Sequence, residues 1–276
     1  MMVFYEKLVF EVINMNYESL YELAKTWTKE AGENLRKSVQ ETIEVEFKTS
    51  ASDLVTKKDR EIEQYYATKI NQHYPDHFIL GEEGTVQNQE YNFAEEKVWV
   101  IDPIDGTTNF VNQKMNFAIS VAFYDKGEPV MGIIYDPIKD ELFHALKGKG
   151  TYLNDEKISP LQEVTMAEAM ISVNSLWTIP NEKVDEKKLY PIIENARGVR
   201  YIGSAALEIA WIAVGRIDAY IDFRLSPWDI GAGIILIKEL GGEATTLMGN
   251  EINMTNTSTT LFSRPGLASE IRQYFN

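Results

Sequence analysis

The sequence predicts a mixed fold, α+β through its first half and α/β through its second. Three observations carry that expectation. Apolar residues recur at helical spacing from Tyr17 to Leu35, short strands then follow one another without intervening helices up to residue 145, and beyond Pro160 strands and helices alternate.

In chain order, Leu20, Leu23, Ala24, Trp27, Ala31 and Leu35 form the stripe of an amphipathic helix. Residues 1–14 show no clear period and are uninformative, so Met15 is an alternative start. Ile43, Val45 and Phe47 alternate with Glu44 and Glu46, as in a half-buried strand. Thr56-Lys57-Lys58-Asp59 matches a capping box ahead of a second helix carrying Ile62, Tyr66 and Ile70, which Pro75 ends. Short strands at 78–80 and 98–101 each run into acidic residues. Strands at 117–124, 130–135 and 141–145, separated by turn-rich segments, read as an antiparallel meander. In the second half, strands near 170–173, 199–202, 219–223 and 259–262 alternate with helices near 205–214 and 229–240, closed by Gly215 and Gly241. The expected organisation is an α+β subdomain over 15–160 and an α/β subdomain over 161–276, sharing a long interface and a cleft.

A chain of 276 residues, 44% of them hydrophobic, can bury one or two cores. Its net charge of −15 argues against nucleic acid or an anionic membrane as partner. An anionic small molecule remains possible where metal ions or oriented amides supply positive charge locally. The absence of cysteine excludes disulfides, thiolate zinc sites and a cysteine nucleophile. No apolar run approaches the ~20 residues of a membrane span, and residues 1–6 carry no basic n-region, so the cytoplasm is the default location.

The most informative segment is Val98-Trp99-Val100-Ile101-Asp102-Pro103-Ile104-Asp105-Gly106-Thr107-Thr108-Asn109-Phe110. Four apolar residues form a buried strand that ends at Asp102. Pro103 removes a ladder donor and forces a turn that swings Asp105 back toward Asp102. Gly106 permits close backbone approach, and Thr107-Thr108 resemble a helix start with free N–H groups. Paired carboxylates beside such amides call for divalent cations, because like charges so close resist joint ionisation. Taken alone, Asp-x-x-Asp reads as solvated aspartates on a turn, Gly81-Glu82-Glu83-Gly84 as an exposed acidic turn, and Trp228-Asp229-Ile230-Gly231-Ala232-Gly233 as an Asp N-cap. His73, His77 and His144 fall outside these motifs and read as structural or solvated, and Trp27 and Trp211 read as core.

In combination the motifs resemble those of the inositol monophosphatase superfamily. Residues 99–110 and 228–233 are similar to its paired signatures, Asp53-Leu54-Val55-Thr56-Lys57-Lys58-Asp59 to its N-terminal motif, and residues 81–84 to its glutamate turn. The resemblance implies a layered α-β-α-β-α sandwich and a magnesium-dependent, lithium-sensitive phosphomonoesterase, commonly a homodimer. It implies that Glu82, Asp102 and the Ile104 carbonyl hold one magnesium and that Asp102, Asp105 and Asp229 hold a second, with a looser third near Glu82. Thr107, paired with Asp59, is implied to orient and deprotonate the attacking water, and the Gly106 and Thr107 amides to bind phosphate. Asp105 and Asp229 are implied to border the substrate, while Gly203, Ser204, Ala205 and Asp222 match positions where family members meet its alcohol part. The substrate would be a small phosphorylated polyol, sugar or nucleotide, inositol-1-phosphate foremost, with fructose 1,6-bisphosphate and NADP as alternatives. A silent metal-binding regulatory protein on the same scaffold is the non-enzymatic alternative. Asp222 departs from the glutamate of many inositol-specific members. Arg224 either pairs with a neighbouring carboxylate or forms a fork for a second phosphate.

Overall fold

The structure, a computed structural model, describes residues 2–41, 45–47, 54–85 and 90–275. Ile43 and Glu44 of the first expected strand, and Asp53 of the N-terminal motif, lie outside the described residues.

Helix α1 (Met2–Ser38) runs unbroken through residues 2–14, where no periodicity was legible. Strands β1 (Val45–Phe47) and β2 (Leu54–Thr56) form a small antiparallel ladder that delivers the chain into α2 (Lys57–His73). The capping box is present: Thr56 is the N-cap, and Asp59 at the third helical position accepts from the Thr56 amide at 2.8 Å.

β3 (Phe78–Gly81), β4 (Lys97–Asp105), α3 (Thr107–Asn112), β5 (Ala118–Asp125), β6 (Glu128–Asp136), β7 (Glu141–Leu146), β8 (Gly150–Leu153) and β9 (Glu156–Lys157) follow. Their strands form a seven-stranded sheet in chain order, with β3 parallel to β4 and every later pair antiparallel. The meander is therefore present, extended by the short strands β8 and β9. The second half comprises β10 (Met170–Val173), α4 (Tyr190–Asn195), β11 (Gly198–Arg200), α5 (Ala205–Ala213), β12 (Ala219–Leu225), α6 (Pro227–Lys238), β13 (Glu243–Thr245), β14 (Ser258–Ser263) and α7 (Leu267–Arg272). Its five-stranded sheet has the order β11-β10-β12-β14-β13, parallel through β12 and antiparallel beyond.

The two faces of each sheet belong to different cores, as the two-residue side-chain alternation of strands requires. Trp99, Ile101, Phe117, Ile119, Val121 and Phe123 pack against α1 and α2. Val98, Val100, Ala122 and Tyr124 face the other way, onto α5 and α6. Tyr220 and Phe262 of the second sheet close that middle core, while Ile221, Phe223 and Leu261 turn to α4 and α7. The layers are thus helix, sheet, helix, sheet, helix. The middle layer sits close to the larger sheet at Gly132, where any Cβ would collide with the Ala232 carbonyl. Among the described residues no helix is long and apolar enough to cross a membrane.

Candidate active site

β4 does not end at Asp102, as the sequence suggested, but runs on through Pro103 to Asp105. The ladder slips in between: Asp102 pairs with Ser120 and Asp105 with Ala118, so β4 carries one residue more than β5 over this interval. That is a β-bulge, a place where proline's missing N–H leaves no ladder bond unmade. Residues three apart on a regular strand point to opposite faces. The extra residue reverses the alternation, so Asp105 joins Asp102 on the face toward α5 and α6. The Ile104 amide turns in to the Asp102 carboxyl, donating to Oδ1 at 3.0 Å.

Two helix starts complete the group. Ser226 caps α6, correcting the reading of Asp229 as N-cap; Asp229 stands at the third helical position and accepts from the Ser226 amide at 2.7 Å. Ser204 caps α5, and its hydroxyl donates to Asp105 Oδ2, which also accepts from the Ala206 amide at 2.8 Å. Asp102, Asp105 and Asp229 each offer an oxygen lying within 4.8 Å of the other two. Burial, and then the charges of Glu82, Asp105 and Asp229, hold the Asp102 carboxyl well above the usual carboxylate range. Asp229 is raised by burial and by Asp105. Asp105 is pushed up to about 6 by burial, against the lowering effect of its Ser204 and Ala206 hydrogen bonds.

Glu82 follows Gly81, which lies beside Ile101 in the parallel β3–β4 pair, and its amide donates to the Ile101 carbonyl at 3.2 Å. Its carboxyl faces Asp102 and raises that group by charge and by a hydrogen bond, although it lies outside the tight group of three. Thr107 Oγ1 is 3.2 Å from Asp59 Oδ1 and 3.1 Å from the Ile104 carbonyl. Burial moves Asp59 up to about 6, opposed by its hydrogen bonds to Thr56. Gly106 adopts φ +90°, and a Cβ there would crowd the Gly203 carbonyl at 3.1 Å, so glycine is required twice over. Gly106 thus lies against Gly203 and Ser204 at the start of α5.

Asp222 is buried on β12, ahead of a second bulge that leaves it paired with Thr260 and Leu225 with Ser258. Its Oδ1 accepts from the Arg224 amide at 2.9 Å and its Oδ2 from Trp177 Nε1 at 3.0 Å. The Arg224 guanidinium is exposed and lies over the Trp177 ring, 5.9 Å from its centroid. Tyr201, half-exposed nearby, is raised to about 12 by burial and then by the charges of Glu208, Asp222 and Asp105. Sequence reasoning missed Trp177, Tyr201 and Glu208. Glu208 is buried in α5, accepts from the Ile202 and Gly203 amides at 2.5 and 3.2 Å, and is pushed up to about 7 by burial. The histidines are structural or solvated: His77 Nδ1 accepts a hydrogen bond from Trp99 Nε1 at 3.1 Å, His144 lies between Tyr21 and the Asn154 carbonyl, and His73 is exposed. Trp27 is core, and Trp211 is partly buried beneath Lys139 and Arg216.

The donor set is all oxygen and largely buried, which suits a hard divalent cation such as magnesium. Without positive charge such a group resists joint ionisation, and the raised carboxyls record that resistance. Residues 16–275 match the family model described as the inositol monophosphatase family. The inositol-1-monophosphatase of Bacillus subtilis (strain 168) is 43% identical over 256 residues, 93% of this chain and 96% of that one. Inositol monophosphatase II of Staphylococcus aureus MSSA476 has a crystal structure similar at TM-score 0.82 and 35% identity, over 93% of this chain and 95% of that one. An IMPase/NADP phosphatase complexed with Mg2+ and phosphate is similar in fold, at TM-score 0.86 and 24% identity over 95% and 96% of the two chains. With matches of this length in both sequence and fold, the chain belongs to the inositol monophosphatase family.

Proposed function

We propose that the protein is a magnesium-dependent phosphatase that hydrolyses small phosphomonoesters of the inositol-1-phosphate type. The observation that carries this reading is the meeting of Asp102, Asp105 and Asp229 within 4.8 Å, beside the Thr107–Asp59 contact. Asp102, Asp105 and Asp229 would hold one magnesium, and Glu82, Asp102 and the Ile104 carbonyl another, with room for a third near Glu82. The metal, when bound, neutralises the phosphate oxygens and makes water a better nucleophile. Thr107 orients that water, and Asp59, held near 6, accepts its proton. The Gly106 and Thr107 amides bind phosphate, while Gly203, Ser204, Ala205 and Asp222 border the alcohol. Asp222 Oδ2 accepts from Trp177 and from the Tyr220 hydroxyl, whereas Oδ1 accepts from the Arg224 amide and keeps a lone pair for a substrate hydroxyl. The protein acts as a cytoplasmic homodimer on this reading.

The exposed guanidinium over Trp177 favours a second reading, in which Arg224 receives the second phosphate of a sugar bisphosphate or of NADP. Phosphate release from inositol 1-phosphate, fructose 1,6-bisphosphate and NADP tests both. Turnover should vanish in EDTA, return with magnesium and fall with lithium; undiminished turnover in EDTA overturns the metal reading. No phosphate release from any of these substrates in the presence of magnesium would instead support the silent metal-binding alternative. Arg224→Ala should cost about 1.5–3 kcal/mol in kcat/KM for a bisphosphate and almost nothing for inositol 1-phosphate. Equal losses would leave Arg224 a support for the 222–228 segment.

A further inference from the structure

One turn beyond Asp59, helix α2 carries a second buried carboxylate, Glu63, at 1% exposure. Both of its oxygens go to the turn that follows β3. Oε2 accepts from the Glu83 amide at 2.7 Å, and Oε1 accepts from the Thr85 amide at 2.7 Å and the Thr85 hydroxyl at 2.6 Å. Gly81 lies so close that a Cβ there would collide with the Glu63 carboxyl. From the opposite side, the Glu82 amide is tied to Ile101, immediately before Asp102. Glu82 is therefore the residue between two anchors, one on β4 and one on α2. Packing alone does not call for a carboxylate here, because burying a charge costs several kcal/mol and an apolar side chain would fill the space more favourably. Hydrogen bonds from backbone amides to an ionised carboxylate are stronger than neutral ones, and they fix direction as well as distance.

We propose that Glu63 is a positioning residue for the metal site. It holds the Glu82-Glu83-Gly84-Thr85 turn so that the Glu82 carboxyl meets Asp102, and it thereby sets magnesium affinity and leaves the chemical step to other groups. Asp59 and Glu63 lie four residues apart on one face of α2, so a single helix registers both the Thr107 hydroxyl and the Glu82 turn. This inference rests on reading the site as a magnesium site.

The test compares wild type, Glu63→Ala, Glu63→Gln, Gly81→Ala and, as a stability control remote from the turn, Ile70→Val. Magnesium uptake is read by calorimetry without substrate, and the magnesium dependence of phosphate release is read beside it. Glu63→Ala should weaken magnesium binding by about 10–100-fold, the range found for groups that orient metal ligands. Its kcat at saturating magnesium should change by less than about threefold. Glu63→Gln should fall between, because one end of the amide presents donors to a donor. Gly81→Ala should reproduce the loss by displacing the Glu63 carboxyl, which keeps the proposal testable if Glu63→Ala does not fold. Ile70→Val should lower the melting temperature with no change in magnesium affinity. Normal magnesium affinity in the Glu63 and Gly81 variants, or an equal shift in Ile70→Val, would overturn the proposal while wild-type binding leaves the metal site standing. A wild type that takes up no magnesium overturns both.

Discussion

Thr107 has one hydroxyl proton and two acceptors within reach, the Ile104 carbonyl at 3.1 Å and Asp59 Oδ1 at 3.2 Å. A hydroxyl shared in this way can pass its proton contact to one partner while accepting from a water with its own lone pairs. Thr107→Ala should therefore lose about 10²–10⁴-fold in turnover while magnesium affinity, read by calorimetry, stays near wild type. A collapse of magnesium affinity with normal turnover at saturating metal would make Thr107 a ligand or a support. At this scale the closeness of Asp102 and Asp105 was legible in their local spacing, whereas Thr107 and Asp229 were marked out through the family resemblance. Glu63 and Glu208 were not legible. A glutamate inside a helix reads as a solvated face, and only the tertiary structure shows each one buried against backbone amides. Trp177 meets Asp222 across 45 residues of chain, a pairing that no local pattern announces.

The elements repeat one device. On β4 and again on β12 an aspartate precedes a bulge, and its carboxyl accepts from the amide two residues on, Ile104 in one case and Arg224 in the other. Asp59 and Asp229 are likewise matched, each at the third position of a capped helix. The capping box of α2 was readable from Thr56 and Asp59, whereas Pro103 was misread as a strand end because a proline inside a central strand is expected only where the ladder is broken. Helices α4 and α7, six residues each, and the three-residue β13 are too short to show a period. The approach of the middle helical layer to the large sheet depends on Gly132, whose Cβ would strike the Ala232 carbonyl. Gly132→Ala should cost about 1–3 kcal/mol of stability in denaturant unfolding, the usual range for overpacking. Unchanged stability would mean that α6 can shift without loss.

In the whole molecule, the two sheets clamp the α5–α6 layer, and the acids collect where that layer begins. Without metal, Asp59 and Asp105 are raised to about 6 and Glu208 to about 7, from ordinary values of 3.8 and 4.5. Their folded-state values exceed the unfolded ones, as do those of Asp102 and Asp229, so these five carboxyls hold more protons in the native chain above about pH 4, while His77 and His144, lowered to about 4 by burial, hold fewer between about pH 4 and pH 6.5. With five raised carboxyls against two lowered histidines, stability of the metal-free protein should fall as pH rises, a trend that thermal melts in EDTA at pH 5 and pH 7.5 would show. Asp105→Asn should raise the metal-free melting temperature at pH 7.5, leave it nearly unchanged at pH 4, and cut turnover by about 10²-fold or more. A variant equally stabilised at both pH values would show that Asp105 is not the strained group. The layered order was visible only through the family resemblance, since three of its cores are assembled from segments far apart in the chain. The raised carboxyls have a further consequence: protons compete for the same oxygens that a divalent cation would take. On the magnesium reading proposed above, loading the site expels protons into the medium, and acidification acts as a competitive antagonist of the metal.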